Sequence, residues 1–161
     1  MEANDHKIIF ISGNTDLEEK KFITYYLPVL TELAKDPNTL FALSDDAGCA
    51  EMCQVYLNQV LEDKTRVTVY CVGNKPTNYL NGEFVLVSDF VTKEERDAAM
   101  TAISNMDFHI ILSGHGKTAC GHNIIRRNSP EYDFLKYLLK GNTMFWNTLF
   151  LKLEEKNETN A

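Results

Sequence analysis

Nowhere does this sequence carry an apolar run approaching the ~20 residues that a membrane span requires, so no transmembrane helix is expected. It also lacks basic excess: 16 Lys and Arg stand against 23 Asp and Glu, a formal net charge of −7. Broad binding to nucleic acid or to an anionic membrane needs clustered Lys and Arg, and the balance argues against both partners. Cysteine is sparse, with Cys49, Cys53, Cys71 and Cys120 in no disulfide framework. The polar stretch from Met1 to Lys7 leads into an apolar run too short for the core of a signal peptide. Reduced thiols in a cytoplasmic protein are therefore expected. Internal repeats and low-complexity segments are missing as well.

What is present is a globular mixture, 44% hydrophobic and 24% charged over 161 residues. That length suits one domain, taken as residues 1–155, with a disordered tail over 156–161. Apolar strands alternate with helical patterns. Lys7 to Ile11 reads as a buried central strand ending at Ser12-Gly13. Asp16 is expected to cap the next helix with Glu19 as its capping-box partner, and Pro28 to kink or split that helix. Thr39 to Leu43 is a second strand and Cys49 to Glu62 a second helix. Arg66 to Cys71 is a third strand, followed by a long connection from Gly73 to Val91. Thr92 caps a helix through Asn105, and Phe108 to Leu112 is a fourth strand. Two C-terminal helices are expected, Pro130 to Lys140 and Thr143 to Glu155, with a strand over Leu149 to Leu153 as the competitor of the second. The alternation implies an α/β, Rossmann-like open parallel sheet with helices on both faces.

Ligands of such sheets bind beyond the carboxyl ends of the strands, where strand order reverses. With the first strand between the second and fourth, three loops meet there: Ser12 to Asp16, Ser44 to Gly48, and Ser113 to Thr118. Each combines glycine with small polar residues, which lets backbone N–H groups approach an anion. Gly114-His-Gly-Lys-Thr118 is like the end of a phosphate-binding Walker loop, but the glycine that should open the loop is Ile111. A standard nucleotide triphosphatase is therefore rejected, while the amides and Lys117 remain able to hold a phosphate.

The order of the motifs carries a resemblance. Ile11 to Leu17 reads Ile-Ser-Gly-Asn-Thr-Asp-Leu, and Leu43 to Ala50 reads Leu-Ser-Asp-Asp-Ala-Gly-Cys-Ala, with Gln54, Tyr56 and Leu57 after it. Val67 to Cys71, Arg96 to Met100, Asp107 and a glycine-rich loop leading into Asn123-Ile124 follow. Over about residues 7–127 this resembles the SLOG superfamily, Rossmann-like proteins that include the Lonely-guy phosphoribohydrolases and the DNA-processing protein A domain; its small single-domain members are the most similar. The resemblance implies a nucleotide or nucleotide-derived ligand. It would set Ser12, Gly13 and Asn14 facing that ligand and Asp45 and Gly48 along its sugar. Gly114, Gly116, Lys117 and Thr118 would lie at its phosphate, with Asn123 nearby. Two departures stand out. The second loop reads Gly48-Cys49-Ala50 where small members show Gly-Ala-Asp, and the helix after the glycine-rich loop offers Gly121, His122 and Asn123 where the phosphoribohydrolases use a Glu. An amide exchanges no proton near pH 7, so the departures weaken hydrolysis and leave binding.

Among the acids, Asp45 and Asp46 are the catalytic candidates, because like charges in a partly buried loop raise the pKa of one of the two. The competing account is a turn that caps a helix. Arg96 and Asp97 read as structural, pairing with loop groups and not with substrate, Asp107 as a turn residue before the fourth strand, and His109 as a core or edge histidine. Cys49 at a helix start reads as a buried thiol in preference to a nucleophile. His115, Cys120 and His122 have no recognised zinc spacing; neither metal nor cofactor is expected. Arg126 and Arg127 fit a solvated helix end as well as an anion contact. Phe145, Trp146, Leu149 and Phe150 form an aromatic stripe expected to mediate a homodimer. Three functions follow: a nucleotide-binding sensor or carrier; an N-glycosidase or (deoxy)ribosyl transferase using Asp45 or Asp46; and an interaction module without ligand.

Overall fold

The computed structural model describes residues 6–110. The glycine-rich motif at 113–118, Asn123, Arg126 and Arg127, the two expected C-terminal helices and the aromatic stripe lie outside the described residues.

Among the described residues five strands form one sheet, β1 (Lys7–Ile11), β2 (Thr39–Ser44), β3 (Val67–Val72), β4 (Val85–Phe90) and β5 (Met106–Phe108). Their order is β4-β3-β2-β1-β5, and every pair is parallel. The chain steps outward from β1 to β4, then returns to the other side of β1. That reversal puts β1 between β2 and β5, the placement expected of the first strand. It is the α/β, Rossmann-like arrangement that the alternation implied.

Alternate side chains of the strands feed two cores. Ile9 and Ile11, Phe41 and Leu43, Val67 and Val69, and Met106 and Phe108 point to one face. There they meet Tyr26, Leu30, Cys49, Cys53 and Leu57, contributed by the stretch before and within α2 (Leu27–Lys35) and by α3 (Cys49–Val60). Phe10, Ala42 and Tyr70 point to the other face and pack on Met100 of α4 (Lys93–Ile103).

Local chemistry accounts for the corrections to the sequence reading. Asp16 is not a helix cap. The Leu17 N–H bonds to the Asn14 carbonyl at 3.2 Å, closing a turn that leaves Asp16 exposed, and α1 (Glu19–Lys21) begins after Glu18. The division expected at Pro28 is present, since the helical stretch is split into α1 and α2. A π-helical turn over Phe22–Tyr26 precedes Pro28, so the proline falls in the first turn of α2, where no N–H is needed. Thr92 caps α4 as expected, accepting from the Glu95 N–H at 3.0 Å.

Strand β4 lies inside what reads as a long connection. It is an edge strand, half-exposed, and it follows an irregular strap from Gly73 to Phe84 in place of a crossover helix. The strap is fastened to α3 by Gln54, whose buried amide donates to the Asn78 carbonyl and accepts from the Leu80 N–H, both at 3.0 Å. Strand β5 starts at Met106, so Asp107 is a buried strand residue opposite Phe10 and not a turn. Asn105 sets that start, because its amide oxygen accepts from the Ile8 N–H and its own N–H donates back to Ile8.

Candidate functional site

The loops after β1 and β2 and the strap after β3 come together at the carboxyl edge of the sheet. At the reversal point the Ser12 N–H donates to the Phe108 carbonyl at 3.1 Å, and the Ser12 carbonyl accepts from the Tyr26 hydroxyl at 2.8 Å. The same hydroxyl accepts from the Ile110 N–H at 3.1 Å, so Tyr26 bridges the ends of β1 and β5. Its ring packs on Phe108 with centroids 5.0 Å apart and stacks on Phe22 at 5.8 Å. The π-helical turn carries both rings, so the irregularity before Pro28 supplies this bridge. Sequence reasoning gave Tyr26 no role, since a tyrosine on an apolar helical stripe looks like ordinary core.

Ser12 itself is 9% exposed, and its hydroxyl is buried with no hydrogen-bond partner among the described residues. The His109 ring packs beside it, Nδ1 lying 3.4 Å from the Ser12 carbonyl. Burial pushes the imidazole down to about 4, partly opposed by that backbone contact, so it is neutral at pH 7.

The glycines of these loops serve packing between loops. A Cβ on Gly13 would collide with the Cys49 side chain and the Tyr26 hydroxyl. Gly48 has φ +77°, and a Cβ there would press into the Asn14 and Thr15 carbonyls. That close approach lets the Cys49 N–H reach the Asn14 carbonyl at 3.1 Å and locks the loop after β1 to the start of α3. Gly48→Ala is expected to destabilise the protein by at least about 1–3 kcal/mol, the cost of a strained left-handed residue, measured by urea denaturation. An unchanged midpoint would mean that the two loops are not locked together.

Cys49 is fully buried, and burial together with neighbouring Cys53 holds its thiol well above the usual cysteine value. It stays protonated, as a packed thiol should. Among the described residues, no three metal-ligating side chains come together. No described helix is long and apolar enough to cross a membrane.

Asp45 and Asp46 do sit together at the end of β2, but Arg96 changes their chemistry. Its guanidinium is 2% exposed and forms ion pairs with Asp45 at 3.1 Å, Asp46 at 2.9 Å and Asp97 at 2.9 Å. Asp45 is also buried, and its other carboxylate oxygen accepts from the Thr77 N–H at 2.7 Å. Asp46 further accepts from the Ser44 hydroxyl at 3.1 Å and pairs with Lys93 at 3.1 Å. Burial alone would raise the Asp46 carboxyl, yet hydrogen bonds and charge from Arg96 and Lys93 outweigh it and hold that pKa below the usual value. The expectation that adjacency raises a pKa here is thus corrected for Asp46: a buried cation neutralises the repulsion. The expected pairing with loop groups is made by Arg96, which reaches Asp45 and Asp46 of the loop after β2 as well as Asp97.

No family model, curated protein or solved structure matches the chain.

Proposed function

We propose that the protein binds a nucleotide or nucleotide-derived small molecule at the carboxyl edge of the sheet, over the β1–β5 reversal, as a sensor or carrier. The observation that carries this reading is the Ser12 hydroxyl, buried without a partner among the described residues at that reversal. An unsatisfied buried hydroxyl costs about 1–3 kcal/mol, which a polar atom of a ligand would offset. Such crevices are where open parallel sheets take their ligands. The SLOG-like order of motifs supports the same site, with Ser12, Gly13, Asn14 and Gly48 on its near side. In this reading Gly114, Gly116, Lys117, Thr118 and Asn123 supply the anion contacts.

N-glycosidic chemistry by Asp45 or Asp46 is less well supported. A general acid must carry a proton near neutral pH. Asp46 is held ionised by Arg96 and Lys93, and both Asp45 oxygens are occupied.

The test is a thermal titration with nucleoside 5′-monophosphates, while free base is followed in the same samples. A ligand at 100 times its Kd adds about 2.7 kcal/mol, on the order of 5–10 °C in Tm for a chain of this size. Ser12→Val is expected to fold and to lose most of that shift. No shift with any nucleotide leaves the ligand-free interaction module as the surviving account. A shift that survives Ser12→Val puts the pocket elsewhere, and base release restores the enzyme.

A further inference from the structure

We propose that Asn81-Gly82 is a site of spontaneous deamidation, and that the modification loosens the strap that holds Asp45. Asn81 is the only asparagine in the chain followed by glycine. The turn presents its atoms for the reaction. Gly82 is exposed, has open space where a side chain would stand, and its N–H makes no hydrogen bond among the described residues. Without a Cβ, that nitrogen can close on the Asn81 side chain. The Asn81 amide oxygen already accepts from the Glu83 N–H at 2.8 Å, a donor set where negative charge develops when the Cγ carbonyl is attacked.

The step balances without any added reagent but water. The Gly82 nitrogen gives up its proton to solvent and forms a bond to the Asn81 Cγ. The side-chain nitrogen takes a proton and leaves as ammonia, giving a cyclic imide. Water then opens the ring at one carbonyl or the other, yielding aspartate or isoaspartate at position 81.

The consequence lies in what Asn81 holds. Its amide nitrogen donates to the Asn58 side-chain oxygen at 2.7 Å, near the end of α3, and its carbonyl accepts from the Phe84 N–H at 3.0 Å. The product carboxylate loses the donor and sets a charge against an acceptor. Isoaspartate also routes the main chain through Cβ, shifting the turn that Tyr79 clamps by its bond to the Phe84 carbonyl at 2.6 Å. A few residues upstream the same strap supplies the Thr77 N–H and the Asn78 amide to Asp45. Ageing at position 81 therefore reaches the loop after β2. This inference is independent of the proposed ligand.

The experiment is incubation of the native full-length protein at mildly alkaline pH, with ion-exchange chromatography, peptide mapping and thermal melting over time. A more acidic species is expected, mapping to the 81–82 peptide as two separable isomers, with a lower Tm than fresh protein. Gly82→Ala has room for its side chain and is expected to fold, keep its starting Tm and lose that species over the same interval. Three results would overturn the proposal. They are an acidic species that maps elsewhere, the same rate in Gly82→Ala, and modification at 81 in urea but not in native buffer.

Discussion

Replacing Arg96 with methionine is expected to remove about 3–5 kcal/mol of stability, the usual cost of stripping one partner from a buried charge network. The methionine fills much of the volume, so the loss reports on charge and not on a cavity. Asp45, Asp46 and Asp97 would lose the cation they share, while the exposed Lys93 stays paired with Asp46. For a chain of this length the drop corresponds to about 6–20 °C in Tm. Two further measurements separate this account from simple loss of packing. Adding Asp46→Asn to Arg96→Met should recover part of the loss, because one of the stranded charges goes. The deficit should also narrow as pH falls into the carboxylate range. In the native protein the Asp46 pKa lies below its ordinary value, so its contribution is present at neutral pH and lost only as pH drops through that lowered value. In the variant the carboxylates repel, and protonation relieves them. A variant as stable as the native chain would mean that Arg96 is not what holds the loop after β2 to α4.

The second large effect is a fall in stability between pH 7 and pH 4, carried by His109. Its folded pKa is about 4 against 6.5 for the free side chain, because the ring is 1% exposed. Between those values the unfolded chain binds the proton and the folded one refuses it. Stability therefore rises with pH across the window: the contribution is complete above 6.5 and disappears on the way down to 4. At about 1.36 kcal/mol per unit the difference is about 3 kcal/mol. His109→Asn keeps a short side chain able to donate to the Ser12 carbonyl and cannot titrate in this range. Denaturant midpoints for the variant should lose most of their slope between pH 6.5 and 4 and stay close to native at pH 8. An identical slope in both proteins would assign the effect to another group.

How legible was all this in the sequence? The strands that bury both faces were the clearest. Lys7 to Ile11 and Val67 to Val72 are nearly continuous apolar or β-branched runs, and local pattern alone marks them as central. Strand β4 was hidden because it is an edge strand with mixed exposure, reached through a strap rich in asparagine and glycine that has no helical period. The start of α1 was misplaced because Asp16 is a good cap by type, while the turn at Asn14 to Leu17 occupies the backbone it would have capped. Gln54 entered only as part of a motif, although a polar residue on the buried face of a helix signals a partner such as the strap. Nothing local marks Tyr26.

By itself, the sequence determined the class of fold, the side of β1 on which the last described strand pairs, and the gathering of polar loops at one edge of the sheet. These follow from hydrophobic period, from turn residues and from the handed connections of parallel strands, all of which are local or topological. Only the tertiary structure decided what the residues in those loops do. Asp45 and Asp46 looked like a repelling pair until Arg96, some fifty positions along the chain, was found buried between them. At Gly13 and Gly48 an added Cβ would strike neighbouring loops, which no local pattern shows. Ser12, set at the ligand by resemblance alone, holds a buried hydroxyl with no partner among the described residues. Charge, space and hydrogen-bond satisfaction are set by groups distant in sequence, and no local pattern encodes them.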